Sequence, residues 1–79
     1  MNYVALMSFC EKTGLTAAEV KDYETRGIIR STAKGANRFY SLGEVYRVKG
    51  ILHFIRTEGL NPEEAAAKID KRATTASNL

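Results

Sequence analysis

The chain has little of what enzymes, metal sensors and membrane proteins are built from. It contains one cysteine, Cys10, and one histidine, His53, in 79 residues. A lone cysteine closes no internal disulfide and builds no cysteine-rich metal site, which points to a reducing compartment. His53 has no Asp, Glu or Cys arranged with it for a metal or a catalytic triad, so it reads as a surface or boundary side chain. Cys10 has no base near it in sequence and falls on an apolar face, so it reads as a buried thiol rather than a nucleophile. There is no glycine-rich phosphate loop. No apolar run reaches the roughly 18 residues of a membrane span. No basic segment leads into a long apolar one at the N-terminus, so no signal peptide is evident. Enzyme activity, a cofactor, a bound metal and membrane insertion are therefore not expected, and a cytoplasmic location is.

What is present is short and mildly basic. Lys and Arg number 12 against 9 Asp and Glu, a net charge of +3. That excess fits attraction to a polyanion without requiring it. The length allows one domain with a small core. The folded domain is expected over 1–70. The small polar side chains of 71–79 are expected to form a flexible tail, with Lys71 and Arg72 within reach of a phosphate backbone.

Local signals divide the domain into four helices and a hairpin. The first helix is expected over about 7–13, with Leu6, Phe9, Cys10 and Thr13 on one side and Gly14 closing it. Thr16 caps the second, and Glu19 completes a capping box. Val20 and Tyr23 share its inward face, which leaves Ala18, Lys21, Asp22 and Thr25 pointing outward until Gly27 ends the helix. Ile28-Ile29-Arg30-Ser31 reads as an apolar strand. With Arg38-Phe39-Tyr40 beyond a Gly/Asn-containing loop it suggests a short hairpin whose Phe39 belongs to the core. Ser41 caps the third helix, about 42–57, with Glu44 as a second capping box. Val45, Val48, Leu52 and Ile55 form its buried stripe beside Ile51. Gly59 stops it. Asn61 and Pro62 open the fourth helix, with Glu63 and Glu64 as capping charges at its positive end and Ala65, Ala66 and Ile69 as apolar contacts. The expected fold is mainly α with a small β-hairpin, in the order helix-helix-hairpin-helix-helix.

Two helices around the turn at Gly14-Leu15 outline a helix-turn-helix, and the hairpin adds a wing. This combination makes double-stranded DNA the expected partner. Thr16, Ala17 and Ala18 at the start of the second helix are small enough for close approach. Lys21 reaches a phosphate or a guanine edge, and Thr25 a phosphate or a thymine methyl. Asp22, like Glu19, is an anion facing a polyanion; it either accepts from cytosine N4 or only solubilises the helix. Lys12, Arg30, Lys34, Asn37, Arg38 and Tyr40 are the candidate backbone contacts. The plainer alternative is a structural helix pair with a solvated hairpin. Tyr46 and Phe54 lie off the buried stripe of the third helix and are candidates for a protein interface, unless the fourth helix or the Tyr3-Val4 segment covers them.

From about Leu6 to Ile69 the sequence resembles the DNA-binding domain of the MerR family. The matching pieces are Lys12-Thr13-Gly14-Leu15-Thr16, Val20-Lys21-Asp22-Tyr23-Glu24, Gly27-Ile28-Ile29, Arg38-Phe39-Tyr40-Ser41 and the run from Ile55 to Glu64. The resemblance implies a winged helix-turn-helix in which Lys21 stands where the family usually has a DNA-contacting arginine. It also implies that Tyr23, Arg38 and Tyr40 hold the domain together or contact phosphate. Asp22 replaces a residue that is commonly aromatic, and Ala36-Asn37 stand where the family usually shows Gly-Tyr. The sequence stops where a typical member begins its long dimerisation helix, so a stand-alone domain with no small-molecule effector is expected. Small relatives of this kind include excisionase-type recombination factors and phage or developmental regulators. Some of them bind repeated sites side by side, with each copy touching the next, and bend the DNA. Three roles follow as expectations: a transcription regulator, a recombination directionality factor, and an antirepressor that uses the fold to bind another protein.

Overall fold

The computed structural model describes residues 3–77, and the side chains of residues 3–72. Its elements in chain order are β1 (Tyr3–Ala5), α1 (Leu6–Thr13), α2 (Ala17–Thr25), β2 (Thr32–Lys34), β3 (Asn37–Ser41), α3 (Leu42–Glu58) and α4 (Pro62–Ser77). The expected order of helices and hairpin is found. β1 is an addition. It pairs antiparallel with β3, Val4 opposite Tyr40, giving a three-stranded sheet in the order β1-β3-β2. Three residues are too few to display a period of two, and the partner strand, not local propensity, makes them a strand.

The helix starts follow the sequence. Thr16 Oγ1 accepts from the Glu19 N–H while the Glu19 carboxylate accepts from the Thr16 N–H, a complete capping box. Asn61 and Glu64 exchange the same pair of bonds at α4. At α3 only half of the expected box forms. The Glu44 N–H donates to Ser41 Oγ, but the Glu44 carboxylate turns inward to the Arg30 N–H and to Arg47. Glu63 is likewise not a simple capping charge, since it pairs with Arg26 across from α2.

The expected strand at 28–31 does not form. α2 ends in a Schellman motif: Gly27, at φ +77°, donates to Glu24 O, and Ile28 donates to Tyr23 O. Ile29 also donates to Tyr23 O. These amides are used by the helix end and are not available to a ladder, so Ile28 and Ile29 enter the core as a bend. The hairpin is accordingly shorter, turning at Gly35-Ala36 with a positive φ at Gly35. Of the tail expected over 71–79, residues 78–79 lie outside the described residues. Residues 71–77 continue α4.

The core lies where α1, α3 and the inner face of β3 meet. The Phe9 and Tyr40 rings stack with centroids 4.3 Å apart, both nearly inaccessible. Val20 from α2, Ile28 and Ile29 from the bend, and Val45, Val48, Ile51 and Leu52 from α3 complete it. Phe39 does not join them. Tyr40 takes the inward place on β3, and the alternation of a strand turns Phe39 to the open face, half-buried beside Tyr3. α4 closes the other flank through Ala65 and Ala66.

One polar cluster ties these parts together. Arg47 on α3 donates to both carboxylate oxygens of Asp70 on α4 (2.8 and 3.0 Å), to Glu44 (2.9 Å) and to the carbonyl of Ile28. Hydrogen bonding to Arg47 holds the Asp70 carboxyl below the usual carboxylate range, and Arg26 does the same for Glu63. Carboxyls of the unfolded chain titrate near about pH 4. Because both folded values lie lower, their stabilisation is complete above that pH and is lost as the pH falls through the folded values. The urea midpoint is expected to hold from pH 7 to 5 and to drop between pH 4 and 2, with a shallower acid limb in Asp70→Asn.

Candidate nucleic-acid interface

A groove of about 530 Å³ runs between α2 and the wing. Ala17, Ala18, Lys21 and Thr25 of α2 line it on one side and Arg38 of β3 on the other, with Leu6, Val20, Glu24 and Tyr40 between. Six of the sequence-named residues are thus brought to one concavity. Thr16 caps α2 at its exposed start. The Thr25 hydroxyl donates to the Lys21 carbonyl, which leaves its methyl group and its remaining lone pair for a partner. Lys12, Arg30, Lys34 and Asn37 are exposed outside this groove. Lys34 borders a smaller hollow, about 300 Å³, on the open face of the sheet. Asn37 borders a third, about 610 Å³, shared with Ala36 and Arg38.

The acids of α2 are all engaged within the fold. Glu19 caps the helix. Asp22 pairs with Arg26 at 3.1 Å, and Arg26 forks onto both oxygens of Glu63. The hydrogen bonds Arg26 donates to Glu63 first, and then to Asp22, push its pKa upward. Glu24 accepts from Ser31, from Arg38 and from the Tyr40 hydroxyl. Lys21 is the one cation of α2, exposed and with no ion pair among the described residues.

Glu24 is the joint between helix and wing, and sequence reasoning missed its role. Its side chain is only 16% exposed, while that of Arg38 is 61% exposed. Arg38 spends Nη1 on Glu24 and Ser31. Nε and Nη2 remain for a phosphate. Tyr40 is different. Burial first, and then its bond to Glu24, push the phenol pKa upward. Its hydroxyl is already used and its ring is core, so it positions β3 against α2 instead of touching a backbone. Tyr40→Phe is expected to cost about 1–2 kcal/mol by leaving one Glu24 oxygen short of a donor, read as a lower urea midpoint with an unchanged m value.

The two interface candidates separate. Phe54 is buried, 6% exposed, under α4, where Lys68 and Arg72 lie over its ring at 4.7 and 5.5 Å. It cannot anchor a partner without removing α4. Tyr46 is 70% exposed. Of the residues that could serve an antirepressor, Phe54 is covered, while Glu19 and Asp22 are exposed and engaged in a cap and an ion pair. Cys10 is half-buried, and burial pushes its thiol pKa upward, away from nucleophile chemistry. His53 is exposed.

Two helices joined by a tight turn, followed by a hairpin packed beside the second of them, define a winged helix-turn-helix. The family model for MerR HTH family regulatory proteins matches residues 6–71. The chain therefore belongs to the MerR HTH family, a family of DNA-binding transcription regulators. A comparison with curated proteins found no match.

Proposed function

We propose that this protein regulates transcription by laying α2 in the major groove of a specific duplex site while the wing grips the adjacent backbone. The observation that carries this is the disposal of charge on α2. All three of its acids are tied into caps and ion pairs, and Lys21, Ala17, Ala18 and Thr25 share one concavity with Arg38. Lys21 and Thr25 are the base-side contacts, with Thr16, Ala17 and Ala18 permitting close approach. Lys12, Arg30, Lys34, Asn37 and Arg38 are the backbone contacts. Asp22 is held by Arg26 and serves to fix the end of α2. Tyr40 leaves the contact set for a positioning role.

The reading extends to several copies side by side on repeated sites, in the cytoplasm. A gel shift tests it, using duplex from around the protein's own gene and protein titrated over a wide range. A ladder of bands over a promoter supports a regulator that assembles in a row. One discrete band supports a regulator acting as a single unit. A footprint confined to a recombination attachment site would replace the regulator with a directionality factor. No shift at low salt would remove DNA binding through this surface.

A further inference from the structure

α2 carries the candidate base contacts but has a small apolar footing. Of its nine residues Val20 is buried and Tyr23 half-buried. So narrow a footing resists rotation about the helix axis weakly, and polar ties at the end of the helix add what packing does not. Two such ties exist. Glu24 holds the wing through Ser31, Arg38 and Tyr40. Arg26, which closes α2, holds the first turn of α4 through Glu63. Positions two apart on a helix point about 200° apart. The two ties therefore act on opposite sides of α2 and together oppose its rotation in either direction.

Arg26 is arranged to hold, not to meet a phosphate. Nε and Nη2 donate to the two oxygens of Glu63 at 2.8 and 2.6 Å, and Nη1 donates to Asp22 at 3.1 Å. The guanidinium lies over the Tyr23 ring, 5.6 Å from its centroid. A forked pair fixes direction as well as distance, which a point charge does not. Glu63 is a steady mount, since a carboxylate is favoured in the first turn of a helix. One cation between two carboxylates leaves the cluster net negative, so it offers a phosphate no attraction. Lys21 and Arg38 differ. Lys21 has no ion pair among the described residues, and Arg38 keeps Nε and Nη2.

We infer that Arg26 is a positioning residue for base reading: its fork onto Glu63 fixes the orientation of α2 against α4, and so the aim of Lys21 and Thr25. The role rests on α2 being the helix that reads DNA. Arg26 then belongs neither to the base contacts nor to the backbone contacts. Its loss should blur the distinction between duplexes while the number of neutralised phosphates stays the same. Glu63, on another helix, should matter to the same degree.

The test measures the affinity of the intact protein for a footprinted duplex and for a scrambled duplex of equal length, by fluorescence anisotropy. Arg26→Gln and Glu63→Gln each remove one side of the fork. Both should stay folded, because the pair is partly exposed and contributes little to stability. Each is expected to lower the ratio of the two affinities about fivefold, the low end for a lost base contact. The double replacement should do no more than either single one, since all three break the same tie. The salt slope on the footprinted duplex should keep its wild-type value. In the free protein, N–H and Cα–Hα dipolar couplings of α2 and α4 should fit one alignment frame in the wild type and require two in either variant. A phosphate contact at Arg26 would instead cut the slope by about 0.9 in Arg26→Gln, weaken both duplexes alike and leave the ratio of Glu63→Gln intact. That result overturns the inference, as does one shared frame in the variants. A wild type that does not distinguish the two duplexes overturns the DNA reading and this inference together. A wild type that distinguishes them, with unchanged ratios in the variants, overturns the inference alone.

Discussion

Lys21→Ala combined with Arg38→Ala is expected to weaken binding to a footprinted duplex by about 100-fold, two factors of ten. The two losses should differ in kind. Lys21 is exposed on the reading face of α2 and has no ion pair among the described residues, so its removal takes away a contact and disturbs nothing else. It should relax discrimination at one base pair. Arg38 supplies a backbone contact, so its loss should weaken all duplexes alike and reduce the salt slope by about one phosphate. Arg38 also bonds Glu24 and Ser31, and part of its effect should arise from a looser wing. Arg38→Lys separates the two. It keeps the charge but not the fork, and it should recover the salt slope without fully recovering affinity. Fluorescence anisotropy at several salt concentrations reads all of these.

The second large effect concerns folding. Arg47→Ala is expected to cost about 3–5 kcal/mol. The Arg47 and Glu44 side chains are only 13% and 8% exposed, so truncating one leaves the other's charge uncompensated in the interior. The Asp70 contact contributes less, because that carboxylate is 44% exposed. A chain of this length has on the order of 4–12 kcal/mol in total, so the variant should be partly unfolded at 37 °C. The test lies in the comparison with Arg47→Met, Glu44→Gln. Replacing both partners removes the orphaned charge, and the double variant should be more stable than Arg47→Met alone. Urea unfolding followed by circular dichroism measures the difference. Equal losses in the single and double variants would show that α3, α4 and the bend at Ile28 do not depend on that pair.

The helix framework was legible because its signals are local. Thr16 with Glu19, Asn61 with Glu64, and the glycines at 14, 27 and 59 act within four residues of themselves, and the structure uses each as a cap or stop. Expectations failed where a competing helix end or a distant partner decides. Ile28 and Ile29 have strong strand propensity, but the Schellman closure at Gly27 takes their amides. Phe39 and Tyr40 are adjacent aromatics, and only the pairing of β3 with β1 and its stacking on Phe9 say which one faces inward. Glu44 satisfied the capping-box spacing, yet Arg47 and the Arg30 amide compete for its carboxylate and win. The Glu44-Arg47 spacing of three residues was a signal for that pair. Nothing local marked Glu24 as the joint between α2 and the wing, since its partners lie seven to sixteen residues away. The candidate DNA surface was read as residue types. The structure adds that the neighbouring acids are engaged within the fold, Glu19 in a cap and Asp22 and Glu24 in ion pairs.

The central claim is that a cationic helix-and-wing surface engages duplex DNA. The salt dependence of affinity for a single labelled duplex tests it most directly. With about four phosphates neutralised by Lys12, Arg30, Lys34 and Arg38, log K against log salt is expected to fall with a slope of roughly −4, at about −0.9 per phosphate. The slope should shrink when Lys34 and Arg38 are replaced together. A slope near zero, or one that the double replacement leaves unchanged, would contradict the account.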